Sequence, residues 1–316
     1  MTDSMPRTGD ELESKLGQVN ETQHGGGPNA YTDMDQSRTV DYSKTQDHVA
    51  EQEYGVGTGP QVLSTSGELE VICGPLLNYR RMGDAFGEQP TWYGSVLLCT
   101  LPGQRPPNLR LSCVGAVGGS GMANGYSGSR DSTFQPVRLF EDPWKGFWRY
   151  EISLPFQNFE ATWEYIVPNM RAKGGRPNLE KPKRFSVPSK HESMRIMFHS
   201  CNGFSVGTDE DAWQGPALWN DVLRMHAKQP FHVMIGGGDQ IYNDSVRVDG
   251  PLKPWTDIGN PHKRREFPFN EDMRRQCDEY YFNNYTKWYN LEPFSSANGQ
   301  IPQLNIWDDH DIIDGK

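Results

Sequence analysis

Phe231-His232-Val233-Met234-Ile235-Gly236-Gly237-Gly238-Asp239-Gln240-Ile241-Tyr242-Asn243-Asp244 is the stretch on which the reading of this chain turns. Its first five residues form a short apolar run of the kind a buried parallel strand requires. Three glycines come next, letting the backbone turn sharply and leaving room for a close approach. A carboxylate succeeds them, and a phenol three residues later. The carboxyl ends of parallel strands are where open α/β sheets place their chemistry. Asp239 therefore reads as a metal ligand and Tyr242 as a second one. A plain glycine-capped acidic turn is the alternative for this stretch taken alone.

Two more strands are expected around it. Arg195-Ile196-Met197-Phe198 reads as a buried strand that ends in His199-Ser200-Cys201-Asn202. Gln303-Leu304-Asn305-Ile306-Trp307 reads as a third, ending in Asp308-Asp309-His310-Asp311 with Asp314 close behind. A helix is expected over 210–228, capped by Thr208, with Leu218, Val222 and Met225 on its apolar face. A second is expected from Asn270 as N-cap to Tyr289, with Met273, Cys277, Tyr281 and Trp288 toward the core. The intervening 245–269 reads as an irregular loop, long enough to cover a site. The order β-α-β-α-β implies parallel strands. All three clusters of metal-capable groups should then meet at one sheet edge.

Ahead of this region, 66–170 shows short strands separated by turn residues, the pattern of a β-sandwich. Trp148–Leu154 alternates at period two, and 163–167 reads as a hairpin partner for it. The aromatics here are expected to fill a core. The division is a disordered tail over 1–63, too polar to offset its ordering entropy, a β-sandwich over 64–172, a linker over 173–193 and an α/β domain over 194–316. The fold class is α+β overall.

With 316 residues and a formal net charge of -10, the chain offers no broad nucleic-acid-binding face. No apolar run is long enough to span a bilayer, and no signal pattern opens the sequence. An intracellular, cytoplasmic protein is expected, with peripheral membrane association left open. Five cysteines without a Cys-x-x-Cys pair fit a reducing compartment.

His199-Ser200-Cys201-Asn202, Gly237-Gly238-Asp239-Gln240-Ile241-Tyr242-Asn243-Asp244 and Trp307-Asp308-Asp309-His310-Asp311-Ile312-Ile313-Asp314-Gly315 resemble the PhoD-like phosphatase family, most of all a branch found in fungi. That family belongs to the calcineurin-like metallophosphoesterases. The resemblance implies a phosphomonoesterase or phosphodiesterase that uses ferric iron and calcium on a small phosphoester substrate. It implies that Cys201 holds iron, Asp239 bridges the metals and Tyr242 supplies a phenolate. Asp309 is implied as a metal ligand and His310 as a phosphate contact or proton donor. Asp314 stands where bacterial relatives tend to carry an asparagine ligand, which leaves the second metal open. Relatives continue beyond the third motif. The chain is therefore expected to hold the front half of a metallophosphoesterase domain and to be weakly active. The competing reading is a non-catalytic interaction or scaffold protein. A nucleotide-phosphate cradle at Gly236–Gly238 lacks the pattern that would open a helix there.

Overall fold

A computed structural model describes residues 68–83, 90–117, 131–173, 179–204, 208–209, 212 and 216–314. The chain separates into two units, Met1–Pro60 and Gln61–Lys316. The expected tail over 1–63 lies outside the described residues, and every described element belongs to the second unit.

Nine strands come first: β1 (Leu69–Gly83), β2 (Thr91–Thr100), β3 (Leu109–Ala116), β4 (Asp131–Phe134), β5 (Val137–Glu141), β6 (Gly146–Pro155), β7 (Ala161–Ile166), β8 (Met170–Ala172) and β9 (Lys183–Val187). One sheet runs β1-β2-β6-β5, with β8 also on β1, and a second runs β4-β3-β7-β9. Their facing residues form a single core. Trp92, Val96, Leu98, Tyr150, Ile152 and Leu154 from the first sheet are joined by Leu109, Leu111, Trp163, Tyr165 and Phe185 from the second. Alternation at period two sends every second side chain into this core, most plainly in β6.

Two expectations change here. β6 and β7 are not a hairpin: β6 pairs with β2 and β5, whereas β7 pairs with β3 and β9 in the other sheet. The short connection between them crosses the core, with Phe156 buried, so a gap of hairpin length serves as an arch between sheets. The stretch 173–193, expected to be a linker, contains β9. Its prolines and basic residues hide the pattern that matters. Arg184 faces out and pairs with Glu164 at 2.8 Å, while Phe185 faces in and packs its ring, tilted by 31°, against Trp92 at 5.4 Å. Trp148, Tyr150, Trp163 and Tyr165 are buried as expected, whereas Phe147 is only half-buried and Trp144 is 70 % exposed.

The remaining elements are β10 (Ile196–His199), α1 (Ala217–Lys228), β11 (Val233–Gly236), α2 (Ser245–Val248), α3 (Lys253–Thr256), α4 (Pro261–Arg265), α5 (Glu271–Tyr289), α6 (Phe294–Gln300), β12 (Gln303–Asn305) and α7 (Asp309–Ile312). β10, β11 and β12 are parallel neighbours, as the β-α-β-α-β order requires. β12 also pairs in parallel with β1 at Asn78↔Gln303. The α/β strands and the sandwich therefore share one eight-stranded sheet, ordered β10-β11-β12-β1-β2-β6-β5.

Helix α1 starts at Ala217, and the expected start at 210 lies outside the described residues. Pro216 occupies its cap position. Leu218 and Met225 are exposed; the face toward the core is Trp219, Val222, Leu223 and His226. The 245–269 segment is not irregular but carries α2, α3 and α4. α5 begins after Asn270, whose side chain accepts from Met273 N at 2.8 Å. β10 departs from the expected buried strand, with Ile196 and Phe198 56 % and 66 % exposed. It is an edge strand, and the Phe198 ring lies along Gly237, where a Cβ would meet it at 2.6 Å. No described helix is long and apolar enough to cross a membrane.

Candidate metal centre

The ends of the three parallel strands converge through backbone contacts. Gly237 N donates to His199 O at 2.7 Å, Cys201 N to Gly238 O at 3.1 Å and Asn202 N to Asp239 O at 2.8 Å. These bonds zip the loop after β10 to the loop after β11. Both loops use left-handed backbone at a non-glycine residue: Cys201 has φ 54° and Asp239 φ 55°. Such conformations are costly and persist where surrounding bonds over-determine them. Gly238 has φ 110°, and a Cβ there would stand 2.6 Å from Asp308 Cβ. Glycine is what lets the loop after β12 close on the loop after β11.

Asp311 fastens that closure. Buried at 3 % exposure, its carboxylate accepts from Asp239 N at 2.6 Å, Asp308 N at 2.9 Å and Ile241 N at 3.2 Å. Asn243 closes the other side, donating from N to His310 O at 2.9 Å and from Nδ2 to Asp311 O at 2.7 Å. Helix α5 braces both: Asn284 Nδ2 donates to Tyr242 O and Asn243 Oδ1, each at 2.8 Å, and Tyr285 OH donates to Asp311 O at 2.6 Å.

On this frame Asp239, Asp309 and His310 each present a ligand atom, all within 4.8 Å of one another. Cys201 Sγ lies 3.7 Å from Asp239 Oδ2. Tyr242 packs its ring 4.9 Å from His310 and 5.8 Å from Trp288. Gly203 makes this fit, since a Cβ there would meet the Tyr242 ring at 2.6 Å. Two other candidates, Asp314 and His199, are not among these grouped ligand atoms. Asp314 is ion-paired to Arg247 of α2. His199 packs edge-on against Trp219 at 5.0 Å and Phe294 at 6.3 Å, neither ring nitrogen has a hydrogen-bond partner, and burial pulls its pKa down to about 4.

The electrostatics favour a cation. Burial raises the Asp239 carboxyl; His310 opposes this, while Asp308, Asp311 and Asp309 add to it. Its Oδ1 is buried with no hydrogen-bond partner, a costly arrangement for an acceptor unless a cation satisfies it. Tyr242 is pushed up to about 12 by burial and by the charges of Asp239 and Cys201, so without a cation it stays a neutral phenol. His310 Nδ1 lies 2.8 Å from Asp244 Oδ1. A carboxylate only accepts, so Nδ1 carries a proton and Nε2 is the nitrogen left for the site. Burial lowers the His310 pKa, but the bond to Asp244, with Asp239 and Asp309, outweighs it and raises the group overall. The donor set thus fits a metal ion.

Residues 181–316 match the family described as PhoD related phosphatase. This part of the chain belongs to that family. An uncharacterized protein of Saccharomyces cerevisiae, YGR266W, is 31 % identical over 265 residues, covering 78 % of this chain. The chain spans only 36 % of that relative's length. Every element that builds the acidic cluster of this PhoD related region lies inside the matched residues, as does β9, the last strand of the second sandwich sheet.

Sequence reading alone missed the supporting roles of Asp311, Asp244, Asn243 and Asn284. Asp311 had a legible signal, since an acid three residues after Asp308 completes a capping box. Asn284 had none, because its partners lie about forty residues away across the fold.

Proposed function

We propose that this chain contributes the metal-binding site of a phosphoester hydrolase, acting on a small phosphomonoester or phosphodiester. The meeting of Asp239, Asp309 and His310 within 4.8 Å, with Cys201 beside Asp239, is the observation that carries this reading. Asp239 is within reach of both the Cys201 sulfur and the Asp309–His310 pair, so it would be the carboxylate shared between two ions. Cys201 and Tyr242 suit ferric iron, and Asp309 with Asp239 suits a hard oxygen-seeking ion such as calcium. Asp314 joins the set only by exchanging Arg247 for a cation. When bound, such a pair of ions would make water nucleophilic near neutral pH and offset charge on the phosphoryl group.

The chain's own residues supply the rest. Asp311 and Asn243 fix the two acidic loops, so little reorganisation accompanies binding. The Asp244 carboxylate holds the His310 ring and fixes its tautomer. In the protonated state, favoured by the surrounding carboxylates, His310 Nε2 can give a proton to a departing alkoxide. The acidic site would repel an anionic ester until cations are in place, which makes metal binding a precondition for substrate.

Elemental analysis for iron and calcium, with hydrolysis of bis(p-nitrophenyl) phosphate, tests the proposal. The expected result is stoichiometric metal that Asp239→Asn and Cys201→Ala reduce, with turnover falling in parallel. A metal-free protein whose stability is indifferent to chelators and that leaves the ester intact would overturn it in favour of a non-catalytic interaction protein.

A further inference from the structure

β1 and β2 place two thiols directly opposite each other. Cys73 and Cys99 are register partners in this antiparallel pair, at 7 % and 2 % exposure. Direct partners of this kind have Cα atoms about 4.5–5.5 Å apart and side chains on one face. That separation falls within the roughly 4.4–6.8 Å that a disulfide spans. We propose that Cys73 and Cys99 are a redox modification site, a dithiol that a two-electron oxidant closes into a cross-strand disulfide.

The surroundings support closure. The ladder shifts register on both sides of Cys73, between Val71 and Cys73 and again between Cys73 and Leu76. This rung is therefore not clamped within a long regular ladder, and the backbone can adjust as the sulfurs bond. Cys99 also senses Cys73: burial first, and the Cys73 charge second, push Cys99 up to about 12. Cys99 is thus a poor starting nucleophile, and the more exposed Cys73 reacts first.

With hydrogen peroxide the steps balance. Cys73 Sγ attacks one peroxide oxygen, the O–O bond breaks, and the hydroxide released takes the thiol proton as water, leaving a sulfenic acid. Cys99 Sγ then attacks the Cys73 sulfur and the S–O bond breaks. The departing hydroxide takes the Cys99 proton as a second water. Two thiols are oxidised and one peroxide is reduced to two waters.

The position gives the bond a setting beyond the sheet. Cys99 is the direct partner of Phe147 on β6, whose ring meets Phe282 of α5 edge-on at 6.3 Å. Asn290, at the end of α5, donates to Ile72 O at 2.8 Å, next to Cys73. The dithiol lies beneath the helix whose Asn284 and Tyr285 brace the acidic loops.

The test exposes the folded full chain to hydrogen peroxide, alkylates it, and maps peptides by mass spectrometry without reduction. The expected product is a Cys73–Cys99 cross-linked peptide pair, reversed by dithiothreitol. In a Cys99→Ser chain, dimedone should instead label Cys73 as its sulfenic acid. The wild-type mapping decides the matter whether or not that variant folds. Recovery of both residues as alkylated thiols after denaturation, or a disulfide through Cys201 instead, overturns the proposal.

Discussion

Replacing Asp311 should separate what holds the site together from what would bind a cation. Its carboxylate accepts three backbone N–H groups from two loops, at 2.6, 2.9 and 3.2 Å, with the side chain almost wholly buried. Hydrogen bonds to a charged acceptor contribute about 1.5–3 kcal/mol each, and a buried donor left unpaired costs about 1–3 kcal/mol. Asp311→Ala removes all three acceptors, for a gross loss of about 5 kcal/mol or more. Part is regained, because Asp311 repels Asp239 in the same cluster. A net loss of about 3 kcal/mol is expected. Asp311→Asn can keep its amide oxygen on Asp239 N and Asp308 N, which share Oδ2. Its NH2 then faces Ile241 N, one bond is lost, and about 1–2 kcal/mol goes with it. Urea unfolding monitored by tryptophan fluorescence at about pH 7.5 gives both numbers, provided the slope is unchanged. An Ala variant within about 0.5 kcal/mol of wild type, or an Asn variant as damaged as the Ala variant, would refute the role of this carboxylate as the tie between the loops.

Three further outcomes are expected. Asp244→Asn should leave metal content intact while slowing ester hydrolysis about 10- to 100-fold, since it loosens the His310 ring without touching the Asp239–Asp309 pair; unchanged turnover would remove Asp244 from the mechanism. Acid should destabilise the fold through His226, whose Nδ1 accepts from Phe231 N at 3.0 Å and whose pKa is pulled down to about 4 by burial, then by His232 and Arg195. The unfolded chain takes up this proton near about pH 6.5 and the folded chain does not. Stability is therefore complete above about pH 6.5 and falls by up to about 3 kcal/mol as pH drops toward about 4. Urea midpoints across that window should fall less steeply in His226→Gln. Gly203→Ala should cost about 1–3 kcal/mol, because its Cβ would displace the Tyr242 ring, and it should weaken iron binding by the purified protein while Gly259→Ala, in open space, does neither.

The sequence is most legible where a local rule and a long-range need agree. The Gly-Gly-Gly-Asp turn after β11 is such a place: the glycines, the strand before them and the acid after them all point to a sheet-edge site, and Asp239 is found there. Asn270 announces α5 in the same way, through cap chemistry confined to four residues. The misreadings share a different cause. Proximity in sequence suggests strand partners, but β6 and β7 belong to opposite sheets, a fact fixed by the core between Trp92 and Phe185 and not by the gap between the strands. β9 is hidden because prolines, lysines and arginines dominate 173–193, although Phe185-Ser186-Val187 carries the burial. β10 looks buried because its composition is apolar, but composition does not say whether another layer packs over a strand's face; Leu304 of β12, paired on both sides, is 48 % exposed as well.

The shared sheet changes how the sandwich relates to the acidic cluster. β12 is only three residues long, yet it carries Asp308, Asp309, His310 and Asp311 at its end. A strand so short cannot fix its own register. It is held by β11 on one side and by β1 on the other, through Met234↔Gln303 and Asn78↔Gln303. The sandwich reaches the approach to β12 as well, since Tyr165 OH donates to Gly299 O at 2.7 Å, just before the strand. Both contacts come from sandwich strands, and both act on the segment that delivers the third motif. A one-residue slip in β12 would turn every following side chain to the other face, moving Asp309 and His310 away from Asp239. The sandwich is therefore part of the site's support, and a perturbation of its core at Tyr165 should reach the acidic cluster even though the two share no ligand.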